Sequence, residues 1–218
     1  MAVLGVDGCP GGWVGAFVEG SRVSWHAGSL EELLALPAAV VAIDIPLGLP
    51  TGAQRRACDL LARERLGAAR SSVFPAPPRP VLAARSHAEA SELSRGAGSV
   101  GVSLQTWNIV PKIREADGLR DLRLLEVHPE VSFRELGGPG PTGGWPSKRL
   151  AAGRAARLAC LRTWLPVELP SPRPGRAAVD DCLDALVCAW TARRWVAGTA
   201  TVLGGEPDAT GRVMQIIV

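Results

Sequence analysis

The stretch Ala2-Val3-Leu4-Gly5-Val6-Asp7-Gly8-Cys9-Pro10-Gly11-Gly12-Trp13-Val14-Gly15-Ala16-Phe17-Val18 decides how the rest of the chain is read. Residues 2–6 are apolar without interruption and stop at Asp7. The cluster Gly8, Pro10, Gly11, Gly12 follows, which is a buried strand closed by a tight turn. Working outward, Trp13–Val18 and Arg22–His26 are short, β-rich and separated by Gly20-Ser21, so they read as a hairpin continuing from the first strand. Ser29 followed by Glu32 forms a capping box, and Leu30, Leu33, Leu34 and Leu36 give a short helix. Val40-Val41-Ala42-Ile43 is a second fully apolar run, and it stops at Asp44. The order strand, strand, strand, helix, strand makes the first three an antiparallel meander. The helical crossover then lets the fourth strand lie parallel to the first.

Further along, residues 53–66 carry a helical pattern studded with Arg55, Arg56, Arg63 and Arg65. Four prolines between Ser71 and Pro80 mark a loop. Residues 86–95 and 102–116 read as helices, the second containing Pro111. Leu122–Leu125 is a third strand-like run and stops at Glu126, and a short helix follows around Val131–Leu136. Residues 147–165 form an Arg-rich amphipathic helix, and residues 179–196 one that is apolar nearly all round. Thr199–Leu203 and Arg212–Val218 read as two closing strands. Gly138-x-Gly140-x-x-Gly143 matches a dinucleotide pattern on paper, but it follows a helix and contains Pro139 and Pro141, so it is discarded.

At 218 residues, 47% hydrophobic and 21% charged, the composition is globular. No apolar run spans a bilayer, because Asp7, Asp44 and Asp184 interrupt the three most apolar stretches. The N-terminus lacks a basic n-region, and the five cysteines have no metal spacing. A reduced, cytoplasmic protein with no membrane partner is expected. Charge alternates: residues 51–99 and 137–179 are net basic, and the stretches around them net acidic. Of the 24 basic residues only Lys112 and Lys148 are lysines. The arginines, Arg55, Arg56 and Arg63 first, are candidates to hold a nucleic-acid backbone, since guanidinium binds phosphate in a bidentate fashion. Arg-rich composition as such is the plainer explanation.

Three strand ends carry a carboxylate, Asp7, Asp44 and Glu126. In an open α/β sheet, ligands bind beyond the C-terminal ends of the strands. With no lysine near them in sequence, such carboxylates form a hard oxygen set suited to Mg²⁺ or Mn²⁺. Asp181 and Asp184 share one face of the 179–196 helix. Asp181 could serve simply as a helix cap. Asp184 has no charged neighbour along the helix until Arg193, so it needs a cation from elsewhere. His128 and Glu130 are possible accessory groups.

The motifs Gly5-Val6-Asp7-Gly8-Cys9, Ile43-Asp44-Ile45-Pro46-Leu47-Gly48, Ser72-Val73-Phe74-Pro75, Gln105-Thr106-Trp107-Asn108-Ile109, Glu126-Val127-His128-Pro129-Glu130 and Asp181-Cys182-Leu183-Asp184-Ala185-Leu186 cover nearly the whole chain. Together they resemble a prokaryotic family of unknown function described as predicted RNase H-like nucleases. The final helix is similar to that of the Holliday-junction resolvase branch of the ribonuclease H-like superfamily. The resemblance implies an α/β fold with a mixed five-stranded sheet in the order 3-2-1-4-5 and helices on both faces. A basic, mostly helical insertion at about 50–120 would interrupt a single domain. It also implies Asp7, Asp44 and Asp184 as metal ligands, Glu126 or Asp181 completing the catalytic set, and two Mg²⁺ or Mn²⁺ ions hydrolysing a nucleic-acid phosphodiester. Two alternatives stay open: an ATP- or phosphate-binding protein of the actin and sugar-kinase type, and a non-catalytic nucleic-acid or protein binding module.

Overall fold

Five strands make one mixed sheet in the order β3-β2-β1-β4-β5, with β1 at Val3–Cys9, β2 at Gly12–Glu19, β3 at Arg22–Gly28, β4 at Val40–Ile43 and β5 at Leu124–Glu126. The first three strands are antiparallel, and β4 and β5 run parallel to β1. This is the expected order. The computed structural model describes residues 1–140 and 144–218. It divides into two units, one of residues 1–44, 121–201 and 217–218, the other of residues 45–120 and 202–216.

In the first unit, strand alternation sorts the side chains onto two faces. Val3, Gly5, Asp7 and Cys9 share one face with Val14, Ala16, Val18, Ala42 and Leu125, as the registers require. That face is covered by α7 (Val179–Val196), with α5 (Pro129–Gly137) and α6 (Ala151–Arg162) packed on α7. The opposite face carries Leu4, Val6, Trp13, Gly15, Val41 and Ile43. It receives α1 (Leu30–Leu34), whose Leu33 lies against Gly15. The Ser29–Glu32 capping box opens α1 as expected. β5 is tied to the α1–β4 connection by Arg123, which donates to the carbonyls of Leu34, Leu36 and Ala38 and pairs with Asp121.

Gly5 sets how closely α7 approaches the sheet. A Cβ there would lie 1.9 Å from the Ala185 carbonyl oxygen and 2.2 Å from the Ala189 amide nitrogen. The helix backbone therefore rests directly on the β1 backbone, which brings the residue before Ala185, Asp184, to the level of Asp7. Ser132 and Thr191, both buried, hydrogen-bond at 2.9 Å and pin α5 to α7.

The second unit contains α2 (Ala57–Leu66), α3 (His87–Gly96), α4 (Leu104–Leu119), two short 3-10 helices at Gly67–Ser72 and Arg79–Ala83, and the β6–β7 pair, Val202–Pro207 and Val213–Ile217, whose last residue belongs to the first unit. The inserted segment thus packs with the closing strands, α2 lying against β6. Pro111 sits inside the continuous α4. Part of the proline-rich stretch expected as plain loop winds into the two 3-10 helices, where proline's fixed φ is no obstacle. Helix α6 starts at Ala151, four residues later than the Arg pattern predicts, because 147–150 form a turn instead. Gly143 of the discarded dinucleotide match lies outside the described residues.

Candidate functional site

The parallel pairing of β1 with β4 matches Val6 to Ile43, and the Asp44 amide donates to the Val6 carbonyl at 3.0 Å. Asp7 and Asp44 are therefore neighbours at the ends of adjacent strands, on the face covered by α7. Asp184 comes down from α7 onto the same spot. Asp7 and Asp184 are 8% and 2% exposed, and Asp44 is half-buried. Burial, followed by the facing Asp184 and Asp44 carboxylates, pushes the Asp7 carboxyl well above its usual range. Burial also raises Asp44, against the pull of His128 and Lys148. Asp184 is pushed up to about 7, burial outweighing Lys148 beside it.

Lys148 is the cation Asp184 needs. Its Nζ donates to Asp184 Oδ2, while Asp184 Oδ1 is buried with no hydrogen-bond partner. This corrects the lysine-free expectation: Lys148 is remote in sequence but arrives through space. Burial opposes its charge, but Asp184, Asp7 and Asp44 outweigh that and hold the ammonium above its ordinary range.

The turn that carries Lys148 is held from α6. A Cβ on Gly153 would lie 2.1 Å from the Ser147 carbonyl oxygen, so only glycine lets the turn lie on the helix start. Arg157 donates to the Pro146 carbonyl at 2.8 Å, and Arg154 to the carbonyls of Lys148 and Arg149 at 3.3 and 2.8 Å. Arg157 is itself buried. It grips Glu130 through two bonds of 2.9 and 2.8 Å and lies 5.4 Å from the Phe133 ring centroid and 5.5 Å from that of Trp145. Glu130, so fixed, adds negative field at Asp44 and Asp184. The α6 arginines expected to hold phosphate are thus largely engaged within the protein, Arg162 included, through Val167 and Glu168.

Glu126 does not join the cluster. Its register partner is Ile43, so it faces away from Asp7 and Asp44, on the opposite side of the sheet. Ending three strands in acids does not align them when one strand is a residue out of phase. Asp181 accepts from the Ala178 amide at 2.8 Å and closes the first turn of α7, the capping role weighed for it. It still adds weak repulsion at Asp7. His128 stands at the N-cap of α5 and is felt by Asp44.

Carboxylate oxygens with one orphaned lone-pair set fit a hard divalent cation by donor chemistry. Among the described residues, however, no three His, Cys, Asp or Glu side chains stand together as a ready cage. The arrangement is a carboxylate cluster held by an internal ammonium.

A family model described as Protein of unknown function (DUF429) matches residues 5–209. The chain belongs to the DUF429 family. The match takes in every residue of the cluster just described, from Asp7 to Asp184. No curated protein and no solved structure matches it.

In the other unit of this DUF429 protein, Arg56 is 3% exposed and pairs with the buried Asp59, with further bonds to the Leu47 and Gly48 carbonyls. An interior arginine of this kind cannot contact a nucleic-acid backbone without breaking its own ion pair. Arg63 is half-buried and donates to the Val73 carbonyl at 2.7 Å, while Arg55 is exposed. Sequence reasoning missed Lys148, Gly5 and Arg157. Only Lys148 left a usable signal, as one of two lysines in an arginine-rich chain. Among the described residues no helix is long and apolar enough to cross a membrane.

Proposed function

We propose that this DUF429 protein is a divalent-metal-dependent nuclease with RNase H-like chemistry, hydrolysing a phosphodiester bond of nucleic acid in the cytoplasm. The observation that carries the reading is the juxtaposition of Asp7, Asp44 and Asp184, two of them nearly inaccessible to solvent, with a single lysine against them. Buried carboxylates at this density are costly to keep, and the cost is offset when a cation enters. Asp7 and Asp184 would hold Mg²⁺ or Mn²⁺, with Asp44 completing the set. The resemblance noted above implies two ions. Bound metal would supply an activated water and charge stabilisation at the leaving oxygen. Glu130, fixed by Arg157, adds to the negative field, and His128, whose charge is felt by Asp44, is the accessory candidate. Arg55 and Arg63 are the candidates for backbone contact.

The test is a panel of single-stranded, duplex, RNA–DNA hybrid and branched oligonucleotides with Mg²⁺ and with Mn²⁺. Wild type should cut at least one substrate, and Asp7→Asn and Asp184→Asn should not, with their fold retained. Millimolar Mn²⁺ should also raise the wild-type melting temperature and leave that of Asp7→Asn unmoved. No cleavage above the Asp7→Asn level on any substrate would overturn the nuclease reading.

A further inference from the structure

We propose that Lys148 is the resident counter-ion of the carboxylate cluster, and that a divalent ion must displace it from Asp184 in order to bind. The inference rests on the metal-site reading and adds the residue that sets metal affinity. Three observations carry it. First, Nζ takes only one Asp184 oxygen, and the other is buried and unsatisfied. The ammonium balances charge without filling the carboxylate's coordination. Second, what holds Lys148 is its backbone. The Gly153 contact and the Arg154 and Arg157 bonds fix residues 146–149, while the side chain is 36% exposed at the end of a flexible stem. The tip can leave while the turn stays in place. Third, Asp7 and Asp44 end neighbouring strands on the face from which Asp184 descends, so one ammonium stands among three carboxylates.

Two cations competing for one carboxylate are thermodynamically coupled, so removing one raises affinity for the other. The experiment is Mn²⁺ titration of the full chain by calorimetry, with Lys148→Gln, Lys148→Met and Lys148→Arg beside wild type and Asp7→Asn. The Gln variant keeps a hydrogen-bond donor and removes the charge. The Met variant removes both. Lys148→Gln and Lys148→Met should each bind Mn²⁺ about 10-fold or more tightly than wild type, and Lys148→Arg no more tightly than wild type. Should the Met variant fail to fold without metal, the Gln variant decides. Tighter binding in the Gln variant supports the exchange. If wild type binds Mn²⁺, Asp7→Asn does not, and Lys148→Gln matches wild type, the exchange is wrong while the metal site stands. If no variant and no wild type binds Mn²⁺, both are overturned.

Discussion

Raising the pH should weaken the first unit in EDTA, and the carboxylate cluster gives the size of the effect. Asp184 titrates at about 7 in the folded chain against a usual 3.8, and it is 2% exposed, so solvent gives little screening. The folded protein keeps a proton that the unfolded chain has already released. Through Asp184 alone, stability therefore falls by about 4 kcal/mol as pH rises from about 4 to about 7, and this contribution is level above that. Asp7 and Asp44, also raised chiefly by burial, act in the same direction. Lys148 stays charged throughout this window. Asp208, in the other unit, behaves oppositely. Burial would raise its carboxyl, but bonds from the Leu49 amide, Thr210 and Arg79 outweigh it and hold the group low, so its contribution is lost only in acid. Asp184→Asn should reduce the slope between pH 5 and 7.5, the remainder coming from Asp7 and Asp44. Asparagine stands in for the protonated acid, and the value of about 7 already includes the attraction of Lys148, so in EDTA at pH 8 the variant should be more stable than wild type by up to about 4 kcal/mol. Urea denaturation followed by tryptophan fluorescence is the assay, since six of the seven tryptophans lie in the first unit. Wild-type stability that is flat or rising over this range, or the same slope in Asp184→Asn, would refute the reasoning.

Three further outcomes are expected. Gly5→Ala should cost about 3 kcal/mol or more in urea denaturation, because the new methyl meets helix backbone and α7 must shift; a loss below 1 kcal/mol would mean α7 is not seated as described. Glu126→Gln should bind Mn²⁺ like wild type while Asp44→Asn binds it more weakly, as the opposite sheet faces require, and equal losses in calorimetry would contradict the register. Arg56→Ala should destabilise by about 3–5 kcal/mol by leaving Asp59 buried and unpaired, whereas Arg55→Ala should leave stability unchanged and lower the salt dependence of oligonucleotide binding, measured by fluorescence anisotropy.

The sheet was legible in the sequence because its signals are local. Apolar runs, Gly-rich turns and the Ser29–Glu32 box each act within a few residues, and the short crossover leaves β4 one natural place beside β1. The position of α7 was legible for a related reason, as a helix apolar on all sides must be covered. The carboxylate cluster was legible in part. Asp7 and Asp44 stop equivalent strands in matched register, so reading strand ends finds them. Glu126 also stops a strand, but its phase depends on where β5 begins to pair, and alternation over three residues does not reveal that. Arg56 and Asp59 look like an ordinary solvated pair at helical spacing. Their burial depends on how the rest of the second unit closes around them.

Lys148 was hidden because its role depends on a contact between segments that are far apart in the chain, yet its chemistry explains why an arginine-rich protein has a lysine there. A guanidinium would reach both Asp184 oxygens with two parallel bonds and satisfy the carboxylate completely. An ammonium takes one oxygen and leaves Oδ1 without a hydrogen-bond partner. The glycine and arginines of α6 follow from the same requirement. They fix the turn and not the side-chain tip, which is the arrangement needed if the tip must move aside. An ion pair serving stability alone gains more from a bidentate partner with its side chain enclosed. The half-exposed monodentate lysine over three carboxylates fits a site organised to exchange cations.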